Sequence, residues 1–148
     1  MRKISVVRNG IFLLVFAFSL LSCSTYDDVD RTEDKAMIWG LLEQRAQGFE
    51  EKDLSKIDAI LAEDYMDTRY PRNIVLDGHR SWFEQHPSVV FHYSRKTITF
   101  HQNSARMIHA IKYTADSLEK TIHDQETLAF RKLDGRWYII SGLKVGIF

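Results

Sequence analysis

The chain has 148 residues, 45% of them hydrophobic, 27% charged and 12% aromatic, with 20 basic and 20 acidic side chains. That length and balance fit one globular domain with a real core and exclude a disordered or low-complexity chain. No basic cluster appears, which sets nucleic acid aside as a partner.

The first 22 residues hold Arg2, Lys3 and Arg8 and no acid, so 17 basic residues face 20 acidic ones in the remainder. This segment has the layout of a signal peptide: a cationic start, an apolar run over Ile11–Leu21, then small residues. A membrane span needs about 20 apolar residues, and Arg8 and Asn9 block any backward extension of the run. Cys23 is the only cysteine, so no intramolecular disulfide is possible. The tetrapeptide Leu20-Leu21-Ser22-Cys23 resembles the lipobox of bacterial lipoproteins. The resemblance implies cleavage between Ser22 and Cys23, a diacylglycerol on the Cys23 thiol and an acylated new amino terminus. At about 0.8 kcal/mol per buried CH₂, two or three acyl chains anchor a protein to a bilayer almost permanently. Ser24 after the cysteine implies the outer membrane, facing the periplasm. The alternative is an ordinary secretory signal with an incidental cysteine. The expected division is signal peptide over 1–22, lipidated cysteine and polar tether over 23–32, and a folded domain over 33–148.

Ile38, Leu41, Leu42, Arg45, Ala46 and Phe49 form one stripe of a long amphipathic helix, with Asp30 and Glu33 as a capping box. Asp53 starts a second, shorter helix with Leu54, Ile57, Ile60 and Leu61 on one side. "DYMDTRYPRN" reads as an extended piece ended by Pro71, and Asp77 as the cap of a third helix that His86-Pro87 terminates. From Val89 the period changes to two. Met107, His109, Ile111 and Tyr113 share one face of their strand. Asp134-Gly135 predicts a two-residue hairpin pairing Leu133 with Arg136. That register puts Glu126, Leu128, Phe130, Trp137, Ile139 and Leu143 on the helix side. The class is α+β, with N-terminal helices on an antiparallel sheet. The outer face carries Ile108, Ala110, Tyr138 and Ile140. They predict either a homodimer face or scattered exposed apolar residues.

This order resembles the nuclear transport factor 2-like superfamily, including its SnoaL-like branch. Three stretches carry the likeness over about residues 33–145: the long helix followed by "KDLSKIDAILAEDY", the aromatic helix "HRSWFEQHP", and the closing hairpin "LAFRKLDGRWYIISG". The resemblance implies a cone: a strongly bent sheet wrapped round the long helix, enclosing a pocket. The superfamily includes isomerases, dehydratases and domains without catalysis, so fold alone selects no reaction. A fainter similarity links the hairpin to accessory domains of periplasmic L,D-transpeptidases. The chain lacks a transpeptidase cysteine, so it would be at most a partner or relative of such a domain.

Candidate pocket residues are His109, Tyr113 and Glu126, pointing inward, with Asp67 near the mouth and Trp82 covering it. A histidine and a carboxylate in an apolar cone are what acid–base chemistry would use. They equally make a structural pair, and no catalytic role is assigned. The six histidines form no H-x-H or H-E-x-x-H, and no P-loop, G-x-S-x-G or dinucleotide fingerprint occurs, so neither metal nor cofactor is expected. The sequence therefore predicts a lipid-anchored envelope module that binds a small apolar or amphipathic ligand or a protein partner. The alternative is a cofactor-free lyase or isomerase using His109 with Glu126 or Asp67.

Overall fold

The computed structural model describes residues 30–68, 70–86, 89–115 and 122–144, with the backbone alone at Val89, Arg95, Tyr113, Ala115 and Ile122. The expected signal segment, with Ser22 and Cys23, lies outside the described residues. Every element named below falls in the unit Arg31–Phe148.

Helix α1 is Thr32–Glu51, and it buries Asp34, Ile38, Leu42, Arg45, Gly48 and Phe49. These positions recur every three or four residues, so one face of α1 packs on the sheet. The expected capping box is corrected: the N-cap is Arg31, and no side chain caps the helix. The acid that matters in the first turn is Asp34. It accepts hydrogen bonds from Trp137 Nε1 and Lys132 Nζ, both at 2.8 Å, and from Arg31 at 2.8 Å. Burial works to raise its carboxyl, but the bonds from Lys132, Arg31 and Trp137 win and hold it at about 2. Asp34 thus clips the start of α1 to the last hairpin.

Helix α2 is Leu54–Asp58, capped as predicted by Asp53, whose carboxylate accepts from Ser55 N at 3.0 Å. It is shorter than expected. Ile60 and Leu61 leave the helix because the chain after Asp58 pairs with the last strand, through Ile139 N to Ile60 O at 2.9 Å and Ala62 N to Ile139 O at 3.0 Å. These bonds satisfy backbone groups that an open sheet edge would expose. The extended piece around Asp67 shrinks to a single Met66–Pro71 bridge closing a tight turn. Helix α3 then runs Arg72–Gln85, starting at Pro71. Asp77 therefore sits inside the helix, paired with Arg80, and caps nothing. Pro71 is the extended N-cap of this helix, with φ −70° and ψ 166°, and its missing N–H costs nothing there because an N-cap N–H makes no intrahelical bond. The helix buries Val75, His79, Trp82 and Phe83 and stops before His86, as predicted.

Strands β1 (Val89–His101), β2 (Ser104–Ala115), β3 (Ile122–Leu133) and β4 (Arg136–Ser141) form one antiparallel meander in the order β1-β2-β3-β4. The Asp134-Gly135 turn has φ of 48° and 81°, and Leu133 pairs with Arg136. Irregularities at Ser94/Thr97 and at Ala129/Phe130 bend the strands. The inner face is as expected: Met107, His109, Ile111, Glu126, Leu128, Phe130, Trp137 and Ile139 are all buried. Gly142 has φ 99°, and a Cβ there would lie 2.0 Å from the Thr127 carbonyl oxygen. Glycine at this position lets the chain after β4 fold back over β3, delivering Leu143 to the core and the Lys144 backbone N–H to Glu126.

Candidate functional site

A charged residue placed at an apolar stripe position of α1 needs a partner, because an unpaired buried charge is very costly. Arg45 is 1% exposed and finds Glu126 on β3. The pairing is bidentate: NH1 donates to Oε2 at 2.6 Å and NH2 to Oε1 at 3.1 Å. The guanidinium also lies over the rings of Phe49 and Phe91, 5.6 and 5.2 Å from their centroids. On the neighbouring strand, His109 sits directly opposite Glu126 in register. Its Nε2 lies 3.0 Å from Glu126 Oε2. An ionised carboxylate accepts only, so Nε2 carries the hydrogen and donates it. Finally, the Lys144 backbone N–H donates to Oε1 at 3.3 Å.

Glu126 thus receives four hydrogen bonds from three directions. A carboxylate offers about four lone-pair sites, and here all are taken. Burial works to raise the Glu126 carboxyl, but Arg45 and His109 outweigh it and bring it down to about 2. Burial also works against the Arg45 charge, and Glu126 more than restores it. Two buried nitrogens of the trio, Arg45 Nε and His109 Nδ1, have no hydrogen-bond partner among the described residues. Tyr93 stands edge-on to His109 with ring centroids 5.3 Å apart, and burial pushes its hydroxyl pKa up.

Of the residues singled out by sequence, the structure joins His109 and Glu126. It places Asp67 elsewhere: its carboxylate accepts from Thr68 N at 2.7 Å and Thr68 Oγ1 at 3.0 Å, in the turn before α3, and no bond ties it to the trio. Trp82 lies edge-on to Phe49 at 5.6 Å and against His86 at 4.5 Å, within an apolar cluster with Phe83, Phe91 and Ile111. The Tyr113 side chain lies outside the described residues. Arg45 is the residue sequence reasoning underused. Its signal was a lone cation in an apolar helical stripe.

The side chains of His109 and Glu126 keep no accessible surface, and that of Arg45 keeps 2%. A side chain lining a space wide enough for water would retain more. Open hollows lie elsewhere. One of about 490 Å³ is bordered by Leu61, Asp64, Arg131, Leu133 and Tyr138, and one of about 210 Å³ lies between α1 and Trp137. Among the described residues no group of three or more His, Cys, Asp or Glu side chains is placed to hold a metal ion, and no helix is long and apolar enough to cross a membrane.

No family model and no curated protein matches the chain. Solved structures do. An NTF2-like (nuclear transport factor 2-like) protein of unknown function from Pseudomonas putida KT2440 has 17% identity and TM-score 0.66, over 75% of this chain and 84% of that one. A hexachlorocyclohexane dehydrochlorinase (LinA), type 2, has 14% identity and TM-score 0.62, over 82% of this chain and 96% of that one. Bd1075 of Bdellovibrio bacteriovorus has 14% identity and TM-score 0.63 over 75% of this chain, which spans 40% of Bd1075. At such identities the likeness is one of fold: helices on a curled antiparallel sheet, the nuclear transport factor 2-like architecture.

Proposed function

We propose that the chain is an envelope protein carried on acyl chains at Cys23, facing the periplasm from the outer membrane, and that its folded unit is a binding or accessory module. One observation carries the second half. The histidine–carboxylate pair that would do acid–base work is spent on holding the core together. Glu126 has all its acceptor positions filled, keeps no accessible surface and carries a carboxyl held at about 2. A general base works best with a pKa near the operating pH and needs reach to a substrate proton. Glu126 has neither. The fold is neutral on the point, since structures similar to this chain include a dehydrochlorinase and a protein of unknown function.

A lyase or isomerase using His109 with Glu126 or Asp67 draws support from the 3.0 Å His109–Glu126 contact. It would require the core to open between α1 and β2, and Asp67 to move away from Thr68.

The anchor is tested by growing cells with labelled palmitate. Label enters the natural chain and is lost in Cys23→Ala. Label persisting in the variant overturns the anchoring.

A further inference from the structure

The outer face of the sheet has a charge pattern that composition hides. Side chains alternate along each strand, so inner-face burial fixes which positions point away from the helices. The outward positions of β1–β4 include Arg106, Lys112, Arg131 and Arg136, three histidines, and no aspartate or glutamate. Acids and bases are equal in number over the whole chain, so a face without acids is a segregated one. The two acids of β3, Asp124 and Glu126, lie on the inner-face alternation, where Asp124 meets Lys144 and Glu126 meets Arg45. Asp64 reaches Arg131 from the sheet margin.

Arg106 and Lys112 are exposed and make no ion pair among the described residues. Arg106 stands opposite Thr99 and Ala129, and Lys112 opposite His92 and His123, so no carboxylate flanks either across the sheet. Between them Ile108 is 39% exposed. Six residues along a strand separate the two cations by about 20 Å. That exceeds the screening length of about 8 Å at physiological salt, and no single phosphate or carboxylate ligand spans it. An extended anionic surface meets both. A second copy set face to face about a two-fold axis would instead bring like charges together.

We propose that this face rests on anionic phospholipid headgroups and so sets the orientation of the folded unit on its membrane. The inference builds on the proposed anchor at Cys23. Seven residues separate Cys23 from the N-cap Arg31, a reach of at most about 25 Å, so the anchor would hold the folded unit close to the headgroups. The mature chain carries more acid than base, so its approach to an anionic surface depends on which side it presents.

The test uses the chain from residue 23 onward carrying Cys23→Ser, so that no lipid contributes. It is sedimented with vesicles of mixed phosphatidylglycerol and phosphatidylcholine, or of phosphatidylcholine alone. Anionic vesicles retain the protein, neutral ones do not, and molar salt releases it. A juxtamembrane cation is worth about fivefold in partitioning, so Arg106→Gln with Lys112→Gln lowers retention about 25-fold, while Lys35→Gln on α1 changes nothing. Thermal melts confirm that the variants fold. Equal retention by both vesicle types overturns the inference, as does indifference to the double substitution. A soluble dimer that the double substitution strengthens or breaks also overturns it, by assigning the face to a second copy. Failed palmitate labelling would count against the anchor and leave the vesicle result standing.

Discussion

Replacing Arg45 by methionine keeps most of the side-chain volume in α1 and removes the charge opposite Glu126. The structure sets the cost. Both Arg45 donors go, at 2.6 and 3.1 Å, and the buried Glu126 carboxylate loses its counter-charge, keeping only the bonds from His109 and the Lys144 N–H. Breaking such a pair from one side costs about 3–5 kcal/mol. Domains of this size are stable by roughly 5–15 kcal/mol, so the loss is about a fifth of the total or more. At about 4 °C per kcal/mol, the melting temperature falls by roughly 12–20 °C. Glu126→Leu alone strands the guanidinium and costs a similar amount. The double variant Arg45→Met/Glu126→Leu removes both charges and leaves His109 without its acceptor, at about 1–3 kcal/mol. Urea unfolding followed by tryptophan fluorescence measures all three. A single change costing under about 1 kcal/mol, or a double variant costing the sum of the singles, would show that Arg45 and Glu126 are not a coupled buried pair.

Two further outcomes follow from other buried groups. Burial holds the His79 imidazole down from 6.5 to about 4, against the help of the Val75 carbonyl at 2.7 Å. The unfolded chain therefore takes up the proton first as pH falls. Stability from this group is intact above about 6.5 and is lost between 6.5 and about 4, by roughly 3 kcal/mol. Urea midpoints across that window drop in the natural chain and drop less in His79→Leu; equal slopes would sink the assignment. Gly142→Ala forces a Cβ to within 2.0 Å of the Thr127 carbonyl oxygen at a φ of 99°. It should cost more than about 2 kcal/mol in a thermal melt, and an unchanged melt would show that the β4 exit is not constrained as described.

Much of the sheet was legible because one signal fixes many positions. Asp134-Gly135 sets the β3–β4 register, and alternation then puts Glu126, Phe130 and Ile139 inside without any knowledge of the helices. Helix starts were legible where a cap decides them, as at Asp53, and illegible where tertiary contacts decide them. Asp34 is drawn to Trp137 and Lys132 on the hairpin, and Ile60 and Leu61 leave α2 to cover the edge of β4. The site divides the same way. His109 and Glu126 were placed together by strand alternation alone. Arg45 reaches Glu126 across 81 residues of sequence, and the Lys144 N–H arrives by way of the Gly142 turn. No local pattern encodes either approach. Asp67 was expected near the pocket mouth and Trp82 over it; in the structure Asp67 turns to Thr68, and Trp82 packs on Phe49 and His86.

On the proposed function, Glu126 is a permanently ionised strut and not a working base. Carbon-detected NMR of the Glu126 side-chain carboxyl, followed through an acid titration, tests it directly. The expected result is a carboxylate that stays ionised down to about 2. A midpoint at or above the ordinary 4.5 would contradict it and return the His109–Glu126 pair to the list of groups able to move a substrate proton.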